Sequence, residues 1–165
     1  MLGGVAAWLR WRAKRKKEGK PYDKPNLVMS AAYQIVWEKF CQLWQIELRA
    51  VPISFEHPTL DAEAALKMCD ENTICIVPIA GVTWTGLNDD VEALDRALDR
   101  YNKNTGYDIP IHVDAASGGF ILPFTAPDEK WDFRLKWVYS ISTSGHKFGL
   151  VYPGLGWVVW RDKSY

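Results

Sequence analysis

Hydrophobic and polar residues alternate along this chain in blocks whose spacing predicts helices and strands in turn. Apolar positions three and four residues apart indicate helices that bury one face, and short β-branched apolar runs indicate buried strands. Helices are predicted at 2–17, from a cap at Ser30 through Leu43, at 61–69 and at 89–102. Strands are predicted at 26–30, 46–53, 73–79, 109–114, 138–142 and 156–160.

The regular succession of strand and helix predicts a three-layer α/β domain, with helices on both faces of a mostly parallel sheet. The last predicted strand, 156–160, favours a hairpin-like return beside its predecessor. Gly118 and Gly119 open a segment that is predicted as a loop. Because the ligands of parallel sheets bind beyond the carboxyl ends of the strands, a functional site is expected at that edge.

Composition and charge narrow the class of protein. The 165 residues have a formal net charge of zero, which argues against a nucleic acid or an anionic membrane as the main partner. No apolar run approaches the ~20 residues of a membrane span, and Met1 is not followed by the apolar core of a signal peptide. The basic stretch within 2–17 is either a nucleic-acid or membrane patch or a solvated helix face, and the second interpretation is favoured.

The three cysteines, Cys41, Cys69 and Cys75, lack the spacing of a zinc site. Cys75 lies inside an apolar run, where free thiols are usually inert core residues. Free cysteines of this kind fit a reducing compartment. We therefore expect a cytoplasmic protein without a metal centre.

Three polar residues, Thr83, Asp114 and Lys147, each come at or just beyond the end of a predicted strand. Taken alone, each has an ordinary explanation as a turn residue, a helix cap or a solvated charge. In a parallel sheet, however, all three open onto one crevice. An amine that forms a Schiff base and an acid that pairs with a pyridine nitrogen are what pyridoxal phosphate requires of a protein.

Neighbouring residues suit the same cofactor. Ala116 points the same way as Asp114 in an extended segment, and it is small enough for a planar ring to lie against it. Ser144 and His146, close to the lysine, can donate hydrogen bonds to a phosphate. Gln34, near the start of its helix, can cover the other face of the ring.

Two ordered motifs carry a resemblance to a known family. The stretch 112–120, HVDAASGGF, resembles the aspartate motif of the group II pyridoxal-phosphate-dependent decarboxylases, and 144–150, SGHKFGL, resembles their lysine motif. Further stretches resemble the glutamate decarboxylases within that group, namely 70–74, 81–86, 131–135 and 156–161. The spacing between the motifs agrees, and the resemblance covers essentially the whole chain.

The resemblance implies roles for the two central residues and for the two that flank the ring. Lys147 would hold the cofactor as a Schiff base, and Asp114 would pair with its pyridine nitrogen. Ala116 and Gln34 would lie on opposite faces of the ring. Gln34 bears on identity, since the related aromatic amino-acid decarboxylases look to have a stacking histidine there.

The resemblance also assigns the remaining contacts. Thr83 would approach the phenolic oxygen of the cofactor, and Ser144 and His146 would contact its phosphate. His112 has two open interpretations: it orients the carboxylate of Asp114, or it is a core histidine whose hydrogen bonds are satisfied elsewhere.

The architecture that the resemblance implies is part of the large domain of a fold-type I pyridoxal-phosphate enzyme, incomplete at both ends. Residues 1–165 would form that partial domain, while an N-terminal segment and a C-terminal small domain would lie outside it. The implied activity is decarboxylation of L-glutamate to 4-aminobutyrate and carbon dioxide. The enzyme would be a homo-oligomer built on a dimer, without nucleic-acid or membrane partners, and this chain alone is expected to be inactive.

Two alternatives remain at this point. Another pyridoxal-phosphate lyase or decarboxylase could use the same scaffold with a different substrate. A non-catalytic protein could instead use its basic, tryptophan-containing helix to bind a nucleic acid or a membrane surface, although the net neutrality of the chain counts against it.

Overall fold

Residues 1–163, which the computed structural model describes, form a six-stranded sheet with helices on both faces. The helices are α1 (Leu2–Lys17), α2 (Ile35–Trp44), α3 (Ala62–Lys67), α4 (Val91–Thr105) and α5 (Leu122–Thr125). The strands are β1 (Asn26–Ser30), β2 (Glu47–Val51), β3 (Thr73–Val77), β4 (Ile111–Asp114), β5 (Val138–Ser144) and β6 (Gly156–Trp160).

The sheet has the strand order β2-β1-β3-β4-β5-β6. Strands β1 to β5 pair in parallel, and β6 runs antiparallel to β5. The predicted three-layer α/β architecture is therefore confirmed, and so is the hairpin-like return of the last strand. This topology places the carboxyl ends of β1, β3, β4 and β5 along one edge.

Two apolar layers fill the space between the sheet and its helices. Leu27 and Met29 of β1 pack with α1 and α2, whereas Val28 packs with α3 and α4 on the opposite face. Successive residues of a strand point to opposite faces, so a strand covered on both sides must be apolar throughout. Cys75 of β3 is fully buried, and burial raises the pKa of its thiol, as expected of a core cysteine.

The start of α2 corrects one prediction. Ser30 does not cap the helix, because it is the last residue of β1 and pairs with Val51 of β2. Its hydroxyl instead accepts a hydrogen bond from the backbone of Ala32 at 3.3 Å. Gln34 is the N-cap residue, and its side-chain oxygen accepts a hydrogen bond from the backbone N–H of Val36 at 2.7 Å. Because Ser30 is used in sheet pairing, the helix begins about one turn later than predicted.

The segment after β4 corrects a second prediction. Where a loop was predicted, Gly118–Phe120 form a 3₁₀ turn that leads into α5. Gly118 approaches the preceding loop closely, since a Cβ there would lie 2.6 Å from the carbonyl oxygen of Ala80. Leu122 is buried in the core. This packing, which local sequence signals do not report, keeps the segment compact.

Helix α1 is a layer of the fold rather than a free basic arm. Trp11 is buried, and its indole N–H donates to the carbonyl oxygen of Glu71 at 3.0 Å. Arg10 forms an ion pair with Asp108 at 2.5 Å. Arg12, Lys14, Lys16 and Lys17 are exposed, which supports the interpretation of most of the basic stretch as a solvated helix face, although Arg15 is buried. Within residues 1–163, no helix combines the length and the apolar character needed to cross a bilayer.

Candidate active site

A cleft of about 440 Å³ opens at the carboxyl ends of the parallel strands. All seven residues that the sequence singles out line it: Gln34, Thr83, Asp114, Ala116, Ser144, His146 and Lys147. The parallel register explains their convergence, because Asp114 pairs with Ser142 of β5 and bridges to Ile79 beyond β3. Cavities of roughly 300–1,000 Å³ are typical of sites for small molecules and cofactors.

Asp114 ends β4, and its side chain is held on both oxygens. The indole N–H of Trp37 donates to Oδ2 at 2.7 Å, and the backbone N–H of Ala116 donates to Oδ1 at 3.1 Å. The residue is 7% exposed. A buried carboxylate with a donor on each oxygen has a fixed orientation, which here places it at the wall of the cleft.

Of the two interpretations of His112, the structure supports the second: it is a core histidine whose hydrogen bonds are satisfied. Its Nδ1 lies 2.7 Å from the hydroxyl of Ser140, and its Nε2 lies 3.2 Å from that of Ser142. Burial lowers the pKa of His112 to about 3, so the imidazole is neutral. The ring packs against Trp37, with centroids 5.4 Å apart. His112 therefore supports the donor to Asp114 instead of bonding the carboxylate itself.

Lys147 lies in a tight turn, 145–149, that follows β5. Its ammonium group donates to the hydroxyl of Ser117 at 3.1 Å, and the side chain is half-buried. The turn folds back on itself at Gly149, where a Cβ would lie 2.6 Å from the carbonyl oxygen of Gly145. Gly149 is therefore required by the close approach of the backbone, and a Cβ at Gly145 would lie 2.7 Å from Cγ2 of Val151 and 2.8 Å from Cζ3 of Trp157.

The loop that carries Thr83 is closed at its base by a buried carboxylate. Asp89 accepts hydrogen bonds from the backbone N–H groups of Ile79 at 2.7 Å and Leu60 at 2.8 Å. Burial raises the pKa of Asp89, while these two backbone donors act in the opposite direction. Thr83 itself is exposed at the rim of the cleft.

The remaining candidates occupy the rim and the floor of the cleft. Ser144 and His146 bracket the start of the turn that carries Lys147. Gln34 is exposed, and its side-chain oxygen is engaged at the N-cap of α2. Ala116 lies on the same wall as Asp114, as its spacing in the strand predicts.

Sequence reasoning missed three residues that organise this site. Trp37 fits the apolar spacing of α2 and gave no sign that its N–H meets Asp114. Ser117 stands in the aspartate motif, but its contact with Lys147 depends on how β4 and β5 are placed. Asp89 precedes the true N-cap Asp90, whose carboxylate accepts from the backbone N–H of Ala93, so two adjacent acids have separate structural tasks.

Comparison with known proteins identifies the family. Residues 1–165 match the family model described as the pyridoxal-dependent decarboxylase conserved domain. The chain belongs to this family. Glutamate decarboxylase from Lactococcus lactis subsp. cremoris is 54% identical over 167 residues, which cover 100% of this chain and 36% of that protein.

Two solved structures of related proteins are also similar to this chain in fold. Lactobacillus brevis CGMCC 1306 glutamate decarboxylase has a TM-score of 0.95 and 50% identity, over 99% of this chain and 37% of that one. Burkholderia pseudomallei K96243 sphingosine-1-phosphate lyase has a TM-score of 0.79 and 31% identity, over 98% and 36%. The chain spans little more than a third of the length of these relatives. The expected fold-type I architecture is confirmed.

The residues of the cleft fit pyridoxal phosphate, the cofactor of this decarboxylase family. The cleft brings a lysine amine and a buried carboxylate together, as the aldehyde and the pyridine nitrogen of the cofactor require. Its rim supplies hydroxyl and imidazole groups that can donate to a phosphate. Ala116 leaves room for a planar ring. The polar groups of the cleft therefore match the aldehyde, the pyridine nitrogen and the phosphate of the cofactor.

Proposed function

We propose that this chain forms the cofactor-binding part of an enzyme that decarboxylates L-glutamate to 4-aminobutyrate and carbon dioxide with pyridoxal phosphate. The convergence of Lys147 and Asp114 on one cleft carries the proposal. The 54% identity to a glutamate decarboxylase over the whole chain supports this substrate. A different lyase chemistry on the same scaffold has less support, because the sphingosine-1-phosphate lyase is less similar in both sequence and structure.

The position and charge of Asp114 determine how well the cofactor ring can accept electrons during the reaction. When bound, pyridoxal phosphate supplies an electron sink for the electron pair of the bond between the α-carbon and the departing carboxylate. The carboxylate of Asp114 holds a proton on the ring nitrogen. Its two hydrogen bonds, from Trp37 and Ala116, fix this charge before the reaction begins, so no reorganisation is needed as the bond breaks.

Lys147 would hold the cofactor through its amine, and the cofactor would supply an aldehyde carbon that can bind either this amine or the amino group of the substrate. Its turn brings the amine to the cleft, and Ser117 accepts one of its hydrogen bonds. Because its turn keeps it at the cleft, the same amine would be available for release of the product. Release of each carbon dioxide breaks the bond between the α-carbon and the carboxylate carbon, and one proton taken up from the solvent replaces the carboxylate on the α-carbon.

The other candidate residues bind and orient the cofactor. We propose that Ser144 and His146 donate to the phosphate and that Thr83 contacts the phenolic oxygen. Ala116 and Gln34 flank the two faces of the ring, and their small or planar side chains limit its tilt.

We also propose that the enzyme is a cytoplasmic homo-oligomer. Near the cleft, Phe148, Leu150 and Tyr152 are 54%, 90% and 92% exposed, which supports coverage by another part of the protein or by a second copy. The free thiols of Cys41, Cys69 and Cys75 support a reducing compartment.

The test uses the complete gene product that contains this chain. We expect it to release 4-aminobutyrate and carbon dioxide from L-glutamate only when pyridoxal phosphate is present. Borohydride reduction should fix the cofactor to the peptide that contains Lys147. A label on Lys136 or Lys163 would contradict the site, and turnover of another amino acid in preference to glutamate would contradict the substrate.

A further inference from the structure

The indole of Trp37 is the point at which the helical layer reaches the carboxylate of Asp114. Trp37 lies in α2, 77 positions from Asp114 along the chain, and is 2% exposed. Its Nε1 lies 2.7 Å from Oδ2, which is short for a hydrogen bond from nitrogen and typical of one to a charged acceptor.

Packing holds the indole in this position from several sides. The ring meets Phe40 edge-on, with centroids 5.9 Å apart, and lies 5.4 Å from the ring of His112. His112 is itself bonded to two hydroxyls of β5. On the helix opposite, Gly4 leaves little space, because a Cβ there would lie 3.2 Å from Cζ3 of Trp37. The donor therefore cannot swing away without disturbing α1, α2 and β4 together.

The geometry at the carboxylate gives this contact a consequence for the cofactor. The backbone of Ala116 bonds Oδ1 and Trp37 bonds Oδ2, so the two donors together define the plane of the carboxylate. The backbone donor alone would leave the carboxylate free to rotate about its Cβ–Cγ bond. Such a rotation would misalign the group that faces the ring nitrogen.

We infer that Trp37 is a positioning residue, which acts through Asp114 to hold the carboxylate in line with the ring nitrogen of pyridoxal phosphate. This inference rests on the proposed function, since it assigns the task of Asp114 toward that cofactor. Trp37 does not itself need to touch the cofactor or the substrate.

The chain offers a matched control for its test. Trp11 is also buried, belongs to the same apolar layer, and donates its indole N–H to the carbonyl oxygen of Glu71 at 3.0 Å. Trp11→Phe and Trp37→Phe therefore each replace a buried indole with a smaller ring and remove one hydrogen bond. Trp37→Phe alone removes a donor from Asp114.

The experiment measures the dissociation constant for pyridoxal phosphate and the kcat for glutamate in the complete gene product. We expect Trp37→Phe to weaken cofactor binding about tenfold, equivalent to about 1.4 kcal/mol, and to lower kcat by a similar factor with little change in KM. Trp11→Phe should leave both within about twofold. In an Asp114→Asn background, Trp37→Phe should have less than a twofold further effect, because the charge through which it acts is gone.

Two outcomes would overturn the inference while leaving the proposed function intact. One is wild-type cofactor affinity in Trp37→Phe, and the other is an equal loss with and without the Asp114→Asn substitution. If cofactor binds as expected but glutamate is not turned over, the substrate assignment fails and the inference stands. A complete protein that binds no pyridoxal phosphate would overturn both.

A second measurement applies if Trp37→Phe does not fold. In cofactor-free protein labelled with ¹⁵N-tryptophan, Asp114→Asn should shift the indole N–H resonance of Trp37 and leave that of Trp11 in place. An unmoved Trp37 resonance would contradict the contact on which the inference depends.

Discussion

The two sides of the cleft are built in opposite ways. Asp114 stands on a strand in the middle of the sheet, is 7% exposed, and is bonded on both carboxylate oxygens. Lys147 stands in a glycine-flanked turn beyond the parallel part of the sheet, is half-buried, and donates to the hydroxyl of Ser117. One group is fixed by the core, and the other is half-buried and held by the side chain of Ser117.

This difference matches the tasks proposed for the two residues. A carboxylate that only has to hold a proton on the ring nitrogen gains from rigidity, because preorganised charge costs nothing to rearrange during the reaction. An amine that must give up its place to the substrate and take it back needs freedom to move. The substitutions below probe this contrast, from the largest expected effect to the smallest.

Removing the amine of Lys147 should have the largest effect. We expect Lys147→Ala to lower kcat by at least about 10³-fold, or about 4 kcal/mol, because covalent attachment of the cofactor is lost. Borohydride should then fail to fix the cofactor to the protein. The matched control is Lys136→Ala, since Lys136 is paired with Asp99 away from the cleft and should retain wild-type turnover. Full activity in Lys147→Ala would contradict the assignment of Lys147 as the residue that attaches the cofactor.

Neutralising Asp114 should come next. Asp114→Asn keeps the shape but removes the charge that holds the ring nitrogen protonated, and kcat should fall at least about 10²-fold, or about 2.7 kcal/mol. Cofactor binding should weaken but persist. Asp61→Asn, at the N-cap of α3, makes the same change where either residue caps equally well. Near wild-type turnover in Asp114→Asn would refute the proposal that Asp114 holds the ring nitrogen protonated.

The substitution Asp89→Asn tests whether the segment beside Asp114 is also held by a buried carboxylate. Ile79, which bridges to Asp114, is fixed by the carboxylate of Asp89. In Asp89→Asn the amide oxygen can accept from one backbone N–H, while the NH₂ group faces the other. Leaving one buried donor unpaired should lower the free energy of unfolding by about 1–3 kcal/mol, measured by denaturant titration. The adjacent Asp90→Asn should change it by less than about 0.5 kcal/mol, since asparagine caps a helix as well as aspartate.

The buried imidazole of His112 should make the free energy of unfolding depend on pH, and the sign of this dependence follows from its lowered pKa. Its pKa is about 3 in the folded protein because of burial, against about 6.5 when unfolded. Below pH 6.5 the unfolded chain therefore takes up a proton that the folded one refuses. Stability falls as pH decreases toward 3, by up to about 1.4 kcal/mol per pH unit from this group.

The measurement compares unfolding free energies at pH 7 and pH 5.5. We expect His112→Gln to flatten the wild-type loss between these values, while the exposed His57→Gln keeps it. If wild type and His112→Gln have parallel pH curves, the imidazole is not held neutral by the core.

Gln34 should give the smallest effect. Gln34→Ala removes both the proposed cover of the ring and the side-chain cap of α2. Losing the cap should cost about 0.5–1 kcal/mol of stability, whereas losing the ring contact should lower kcat several-fold. Gln34→Asn serves as a comparison, because asparagine restores a cap but is too short to cover the ring. If activity tracks stability in both variants, Gln34 is a structural cap alone.

The sequence determined much of this protein by itself. The spacing of apolar residues is a local property, so it predicted the alternation of strands and helices and the parallel sheet. The position of Asp114, Thr83 and Lys147 at strand ends then predicted one shared cleft, because parallel strands share an edge. The motifs around Asp114 and Lys147 added the family, which the comparisons confirm.

The tertiary structure decided how the site is held. Trp37 and Asp114 are 77 positions apart, Lys147 and Ser117 are 30 apart, and His112 and Ser140 are 28 apart. Each contact depends on sheet register and on how a helix crosses the sheet. Periodicity tells which face of an element is buried but not which atom it meets there. The fixed orientation of Asp114 and the hydrogen bond that holds Lys147 both depend on those long-range contacts, so they became visible only when the elements were packed.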